Sequence, residues 1–549
     1  MRRCCVMLKM IQCDKFIENG QVRPPITFKS GLNTILGDEF ASNSIGKSTF
    51  LMILDFAFGG DDYVRRSIDV QINIGPHIIN FAFQFENGLH YFSRATDDSN
   101  SINVCDENYH PLKVISKNDY TKFLSEKFNL DLPGLTFRNA ISRFFRVYGR
   151  ETLDPKYPLQ SATKEPQSAG IEGLLKLFDR YKAVKKQKEM TEQAELEEKM
   201  FKGAQKFNYL PSVSNKEQYK KNEKRIVELQ EEIQHLIREN AGGYVELETI
   251  QTESSSELRK QLKVAKREYT RLTNELDSIE IDRIKRQTWQ ADYEELQQFF
   301  PDVNVKKLES IEHFHRNFAK LFKNEFKEKS TSLQSMIDLV ALQIAQLEMK
   351  ITDLGNTPNV IHAILNKHCQ KQKELDQLQV ANKSYDTKEK LKQRRLELED
   401  QLDALILAVA AYTEADINAM MNELNKLING KRTAPHLTIK DASRYTFTTP
   451  NDHGTGSQYK SLIIFDLVTL IMTNLPVLAH DSVLLKQIED SALEEILRLY
   501  NETERQIFIV LDKKCSFTEK AQKILQETAI LNLYPSGGEL FGHAWNNIN

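Results

Sequence analysis

The sequence predicts an α/β domain interrupted by a long antiparallel α-helical coiled coil. Three observations lead there. Residues 1–165 alternate short apolar strands with turns, residues 171–430 place apolar residues at heptad spacing with almost no proline, and strands return over residues 431–549. The whole-chain composition, 549 residues with 28% charged, 22 Gly and 15 Pro, is a blend that leans towards long helices.

The N-terminal segment carries two hairpin dipeptides, Asn19-Gly20 and Asn87-Gly88. The second joins the alternating apolar runs Ile78–Glu86 and Leu89–Thr96. Residues 152–169, with three prolines, read as a linker. Between these features lies Thr34-Ile35-Leu36-Gly37, a strand and turn, followed by Ser42-Asn43-Ser44-Ile45-Gly46-Lys47-Ser48-Thr49 and the helix-like Phe50–Phe58. A strand, a loop of inward backbone amides and a helix N-terminus together make a phosphate cradle. In such a cradle Lys47 neutralises the β- and γ-phosphates of ATP, and the Ser48 hydroxyl holds Mg²⁺. Alanine stands at position 41, where the first glycine of the usual loop would fall.

Over 171–430 the apolar steps of four and three run through Leu258, Leu262, Ala265, Tyr269, Leu272, Leu276 and Ile279, and again from Leu333 to Leu354. Shorter runs are Ile226–Leu236 and Leu398, Leu402, Leu405, Val409 and Tyr412. A sustained 3.5-residue period calls for a coiled-coil seam, because only then does the apolar stripe keep facing its partner. Phe299-Phe300-Pro301 lies at the midpoint, and proline ends a helix, so the arms 171–300 and 326–430 pair antiparallel around a tip at 301–325. That tip carries aromatics but no CxxC, and His313, His315, His368 and Cys369 lack the spacing of a zinc site.

After the coil, Leu437–Ile439 and Tyr445–Thr449 alternate, and a long apolar helix starts at Tyr459. Leu475–Asp481 is an apolar strand ending in an acid, the arrangement that holds Mg²⁺ opposite Ser48 and makes Asp481 the catalytic candidate. Position 482 is serine, where a glutamate would polarise the attacking water; Glu489 and Asp490 are the nearby acids. Gly454, Gly456 and Ser457 open the apolar helix and form either an anion seat or a turn capped by Ser457.

A phosphate-loop half and an acid-strand half split by an antiparallel coil resemble the SMC (structural maintenance of chromosomes) and double-strand-break-repair ATPases. Within that group, Ser42–Thr49 and His480-Asp481-Ser482 look more like the bacterial YydD-like family of unknown function. The resemblance implies an α/β P-loop NTPase head of ABC/SMC type, with ATP and Mg²⁺ as ligands. It also implies a homodimer through the heads, in which Asn43, Gly46, Lys47, Ser48 and Thr49 of one chain face Gly454, Gly456 and Ser457 of the other. Gly-Thr-Gly-Ser replaces the usual Leu-Ser-Gly-Gly, and Asp512 stands where a histidine would follow the strand Ile507–Leu511. These departures bear on turnover more than on ATP-dependent dimerisation. The expected role is DNA sensing or maintenance, within a bacterial anti-phage defence complex that includes effector subunits; the alternative is a nucleotide-bound, non-hydrolysing scaffold for an effector protein.

A net charge of −3 gives no global basic field, so duplex DNA would have to meet a local patch at the head or the coil root. Lys182, Lys185, Lys186 and Lys188 form one such run, and Arg143 and Arg146 are expected on one helix face. Six scattered cysteines, no signal-peptide pattern and no uninterrupted apolar span predict a cytoplasmic protein without a membrane segment.

Overall fold

The computed structural model describes residues 6–38, 44–162, 165–206, 210–241, 255–285, 333–349, 359–512 and 517–544. The predicted tip and Asn43 lie outside these residues. The described chain divides into two compact units, 1–189 with 399–549, and 190–398.

The first unit is the head, and its two halves need each other. Its parallel sheet has the strand order Phe145–Arg146, Val477–His480, Gln506–Leu511, Leu32–Leu36, Ala529–Asn532. Leu32–Leu36 is thus flanked on both sides by strands from the C-terminal half, with Ile509 level with Thr34 and Leu511 level with Leu36. Both central strands are buried along their whole length; QIFIVL is accordingly a nearly continuous apolar run, and in LNTIL the buried Asn33 amide donates to the Lys29 and Gly31 carbonyls while the Thr34 hydroxyl pairs with Thr528.

A second sheet is antiparallel, with the order Ile26–Thr27, Met7–Gln12, Ile78–Phe85, Gly88–Ala95, Ser101–Cys105, Pro111–Ser116. The Asn87-Gly88 hairpin lies in it where the sequence places it. The helix Lys47–Ala57 packs on the Gln506–Leu511 strand of one sheet and the Ile78–Phe85 strand of the other. Contact on two sides is why Phe50, Leu51, Ile53, Leu54 and Phe56 are all buried on so short a helix.

The linker expectation for residues 152–169 does not hold. Leu159 and Thr152 are buried, and a helix, Gln167–Leu177, starts inside the segment. Arg143 and Arg146 are buried as well, so they present no face to DNA. Arg143 lies in a 3₁₀ turn and Arg146 in a strand, so no one helix carries both. Their guanidiniums donate to the carbonyls of Leu159, Thr152 and Pro158. A buried loop needs donors for its carbonyls, and these arginines supply them.

The second unit is an antiparallel pairing of helices. Leu229 and Ile233 pack with Leu375, Ala265 with Leu347, and Leu272 with Leu333 and Ile337. As one arm advances from 229 to 272, its partner retreats from 375 to 333. The buried Asn222 amide donates to Asn382 at 2.9 Å, the kind of polar seam pair that fixes register.

On the head side the predicted seam slips by one residue. Tyr412 is 74% exposed, whereas Ile406, Ala410 and Ile417 enter the head core. The helix Asn359–Asn429 contains the one stretch among the described helices with the length and hydropathy of a membrane span, and these core contacts account for part of its apolar character.

Candidate nucleotide-binding site

The C-terminal edge of the parallel sheet gathers the functional side chains, as expected where strand order reverses in an open α/β sheet. The Leu32–Leu36 strand ends at Gly37, whose amide donates to the Leu511 carbonyl at 2.9 Å. On the far side of the loop, Gly46 has φ 93° and starts the helix Lys47–Ala57 with no side-chain cap. A Cβ at Gly46 would stand 2.5 Å from the Leu540 Cβ, so both the backbone angle and the space require glycine. Ser48 and Thr49 follow in the first turn, half-buried. Thr49 lines a small cavity of ≈ 80 Å³ with Ser44, Asp69, Glu539 and His543.

Lys47 is buried, and its Nζ donates to Asp512 Oδ1 at 2.6 Å. Asp512 follows the Gln506–Leu511 strand, the immediate neighbour of the Leu32–Leu36 strand. Its second oxygen is 2.7 Å from Lys486 Nζ, off the hydrogen-bonding direction, so that contact is ionic. Gly37 makes room for this carboxylate: a Cβ there would fall 1.9 Å from Asp512 Oδ1.

Asp481 follows the next strand, Val477–His480, and is fully buried. Its Oδ2 accepts from the Tyr148 amide at 2.9 Å and its Oδ1 from the Ser482 hydroxyl at 3.2 Å. A buried ionic network fixes this strand end. Arg146 holds Asp466 through two bonds of 2.9 and 2.8 Å, and the same carboxylate accepts from His480 Nε2 at 3.1 Å. His480 Nδ1 lies 2.6 Å from the Tyr500 hydroxyl, which burial keeps protonated by raising its pKa well above the usual value. Burial pushes the Asp466 carboxyl up, but the Arg146 guanidinium, helped by His480, holds it below the ordinary carboxylate range. The Arg146 carbonyl accepts from the Asp481 amide at 3.0 Å, which ties the network to the acid.

The Gly454–Ser457 turn makes its contacts elsewhere. Gly454, rather than Ser457, precedes the helix Thr455–Met472, and the Gly454 amide donates to Asp452 at 3.1 Å. Gly456 lies under the Gln487 carbonyl, where a Cβ would approach to 2.5 Å. Glu489 accepts from Arg432 at 2.6 Å and Lys460 at 3.5 Å, so this acid is already paired. In the lysine run, Lys188 pairs with Glu172 at 2.7 Å and Lys185 with Glu189 at 4.0 Å, while Lys182 and Lys186 are exposed.

Gly46, Lys47, Ser48, Thr49 and Asp481 therefore share one sheet edge. The sequence reading missed Lys486 and the Asp512 ion pairs, for which no periodic signal exists. It also missed the 533–544 segment, in which Leu540 packs on Gly46 and donates its amide to the Ile45 carbonyl.

The site fits a nucleoside triphosphate with Mg²⁺. Lys47 already holds an anion in the form of Asp512, an uncapped helix N-terminus adjoins it, and Ser48 and Asp481 supply the oxygen donors that a hard cation prefers.

An AAA-domain family model matches residues 15–241, and a family described as an uncharacterised protein conserved in bacteria (DUF2326) matches residues 420–545. No curated protein matches. Among solved structures, a Smc head domain with a coiled coil and joint from Pyrococcus yayanosii is 14% identical, with 96% of this chain and 95% of that chain covered at a TM-score of 0.39. A Smc head domain with an extended coiled coil, bound to the C-terminal domain of ScpA, from Pyrococcus furiosus is 10% identical, with 98% and 95% covered at a TM-score of 0.40. The fold is an α/β P-loop NTPase head split by a long antiparallel coiled coil.

Proposed function

We propose that the protein is an SMC-like ATPase in which ATP, bound at Gly46, Lys47, Ser48 and Thr49, brings the heads of two chains together. The observation that carries this reading is the placement of Lys47 and Asp481 at one edge of a parallel sheet built from both halves of the chain. Lys47 binds the terminal phosphates, the amides of the helix start hold the anion, and Ser48 and Asp481 hold Mg²⁺, which neutralises phosphate charge. In this reading the Gly454–Ser457 turn, whose Gly456 packs under the Gln487 carbonyl, faces the nucleotide of a second chain.

In this reading head association changes the coil, and the protein acts in DNA sensing or maintenance within a bacterial defence complex. The exposed Lys182 and Lys186 at the coil root are the DNA-facing candidates. A second reading, a non-hydrolysing scaffold for an effector subunit, is favoured by Ser482, whose hydroxyl cannot replace a carboxylate as a base.

Sedimentation with and without a non-hydrolysable ATP analogue tests head association. The expected result is a dimer that requires the analogue, and a Ser457→Arg variant that binds the analogue but stays monomeric. A dimer indifferent to nucleotide, or a Ser457→Arg variant that dimerises as the unaltered chain does, contradicts it.

A further inference from the structure

The head lacks a glutamate after Asp481, yet it contains a buried carboxylate built into the floor of the phosphate loop. Asp512 is reached by the Lys47 ammonium at 2.6 Å and the Lys486 ammonium at 2.7 Å, and the missing side chain of Gly37 provides its room. Three other acids of the head, Asp481, Glu539 and Glu489, have hydrogen-bond partners of their own. The two oxygens of Asp481 accept from Tyr148 and Ser482, those of Glu539 accept from the Ser536 and Gly537 amides, and Glu489 is held by Arg432 and Lys460. Asp512 touches the lysine that the terminal phosphates would engage.

We propose that Asp512 is the catalytic base of ATP hydrolysis in this head, a role that rests on the nucleotide-binding reading above. When Lys47 turns to the phosphates, Asp512 keeps Lys486 as its counter-ion through Oδ2, and Oδ1 is released to accept a proton. The oxygen of a water molecule forms a bond to that phosphorus while the bond from phosphorus to the bridging oxygen breaks. The electron pair of the broken bond stays on ADP, the water proton passes to Asp512, and the products are ADP and inorganic phosphate. The same geometry makes Asp512 a competitor for Lys47 when no nucleotide is bound, so removing its charge should not weaken binding.

Asp512→Asn keeps the shape and removes the charge. Two readouts are taken on the full chain: affinity for a non-hydrolysable ATP analogue, and phosphate release from ATP. The expected result is analogue affinity equal to or tighter than that of the unaltered chain, with turnover lower by about 100-fold or more, the range of a lost general base. Turnover that falls less than about 10-fold overturns the assignment. So does analogue binding lost together with turnover, because Asp512 would then be a structural counter-ion of Lys47. An unaltered chain that binds ATP without releasing phosphate overturns it too, while leaving the binding reading intact. Failure of the unaltered chain to bind the analogue overturns both.

Discussion

Replacing Arg146 by methionine destabilises the head by about 3–5 kcal/mol, the usual cost of breaking a buried ion pair from one side. Asp466, fully buried, keeps only His480 as a polar side-chain partner in that variant, and the Thr152 and Pro158 carbonyls lose their donor. Chemical denaturation of the full chain measures the effect as a lower midpoint for the head transition. A double variant, Arg146→Met with Asp466→Leu, recovers part of the loss because no unpaired charge stays buried. The effect depends on pH. The Asp466 carboxyl lies below its ordinary range in the fold, so its contribution is full above that range and is lost as pH falls through the folded value. The gap between the unaltered chain and the variant therefore narrows in acid. A shift under about 1 kcal/mol at neutral pH would show that the pair is not closed in solution.

The second large effect is on the ligand. Lys47→Ala removes the ammonium that opens the helix after the phosphate loop, and ATP affinity falls by about 2–3 kcal/mol, roughly 30- to 150-fold. The fold survives, because the helix Lys47–Ala57 is held by Phe50, Leu51, Ile53 and Leu54, and Asp512 retains Lys486. Calorimetric titration paired with thermal melting separates lost binding from lost structure. Unchanged affinity in a folded variant contradicts the assignment of Lys47.

The parallel strands, including the one that leads into Asp481, were legible because burial on both faces leaves a plain mark. QIFIVL reads as an apolar run, and Gly46-Lys47-Ser48 between the strand ending at Leu36 and an apolar helix reads as a cradle. The antiparallel coil was legible through its heptads, since Leu229, Ala265 and Leu272 had to meet partners at matching spacing. What escaped was chemistry between distant positions. Lys47 and Asp512 are 465 residues apart, and nothing in either neighbourhood announces the pair. The sequence places Arg143 and Arg146 on one helix face that either touches DNA phosphate or nucleotide or forms a salt-bridged structural face; the ion pairs of Arg143 with Glu165 and Arg146 with Asp466 match the second, although no single helix carries both. Their other partners are backbone carbonyls in a proline-containing loop, which a sequence pattern does not record. The one-residue slip at Ile406 and Ala410 has a similar origin, because the head core rather than a second helix sets which face is buried there.

The central claim is that the composite head binds nucleotide at the loop ending in Lys47. Calorimetric titration of the unaltered full-length chain with ATP and Mg²⁺ tests it most directly. The account predicts saturable binding of one nucleotide per chain, competed by ADP. Absence of saturable binding at millimolar ATP in a folded protein would contradict it.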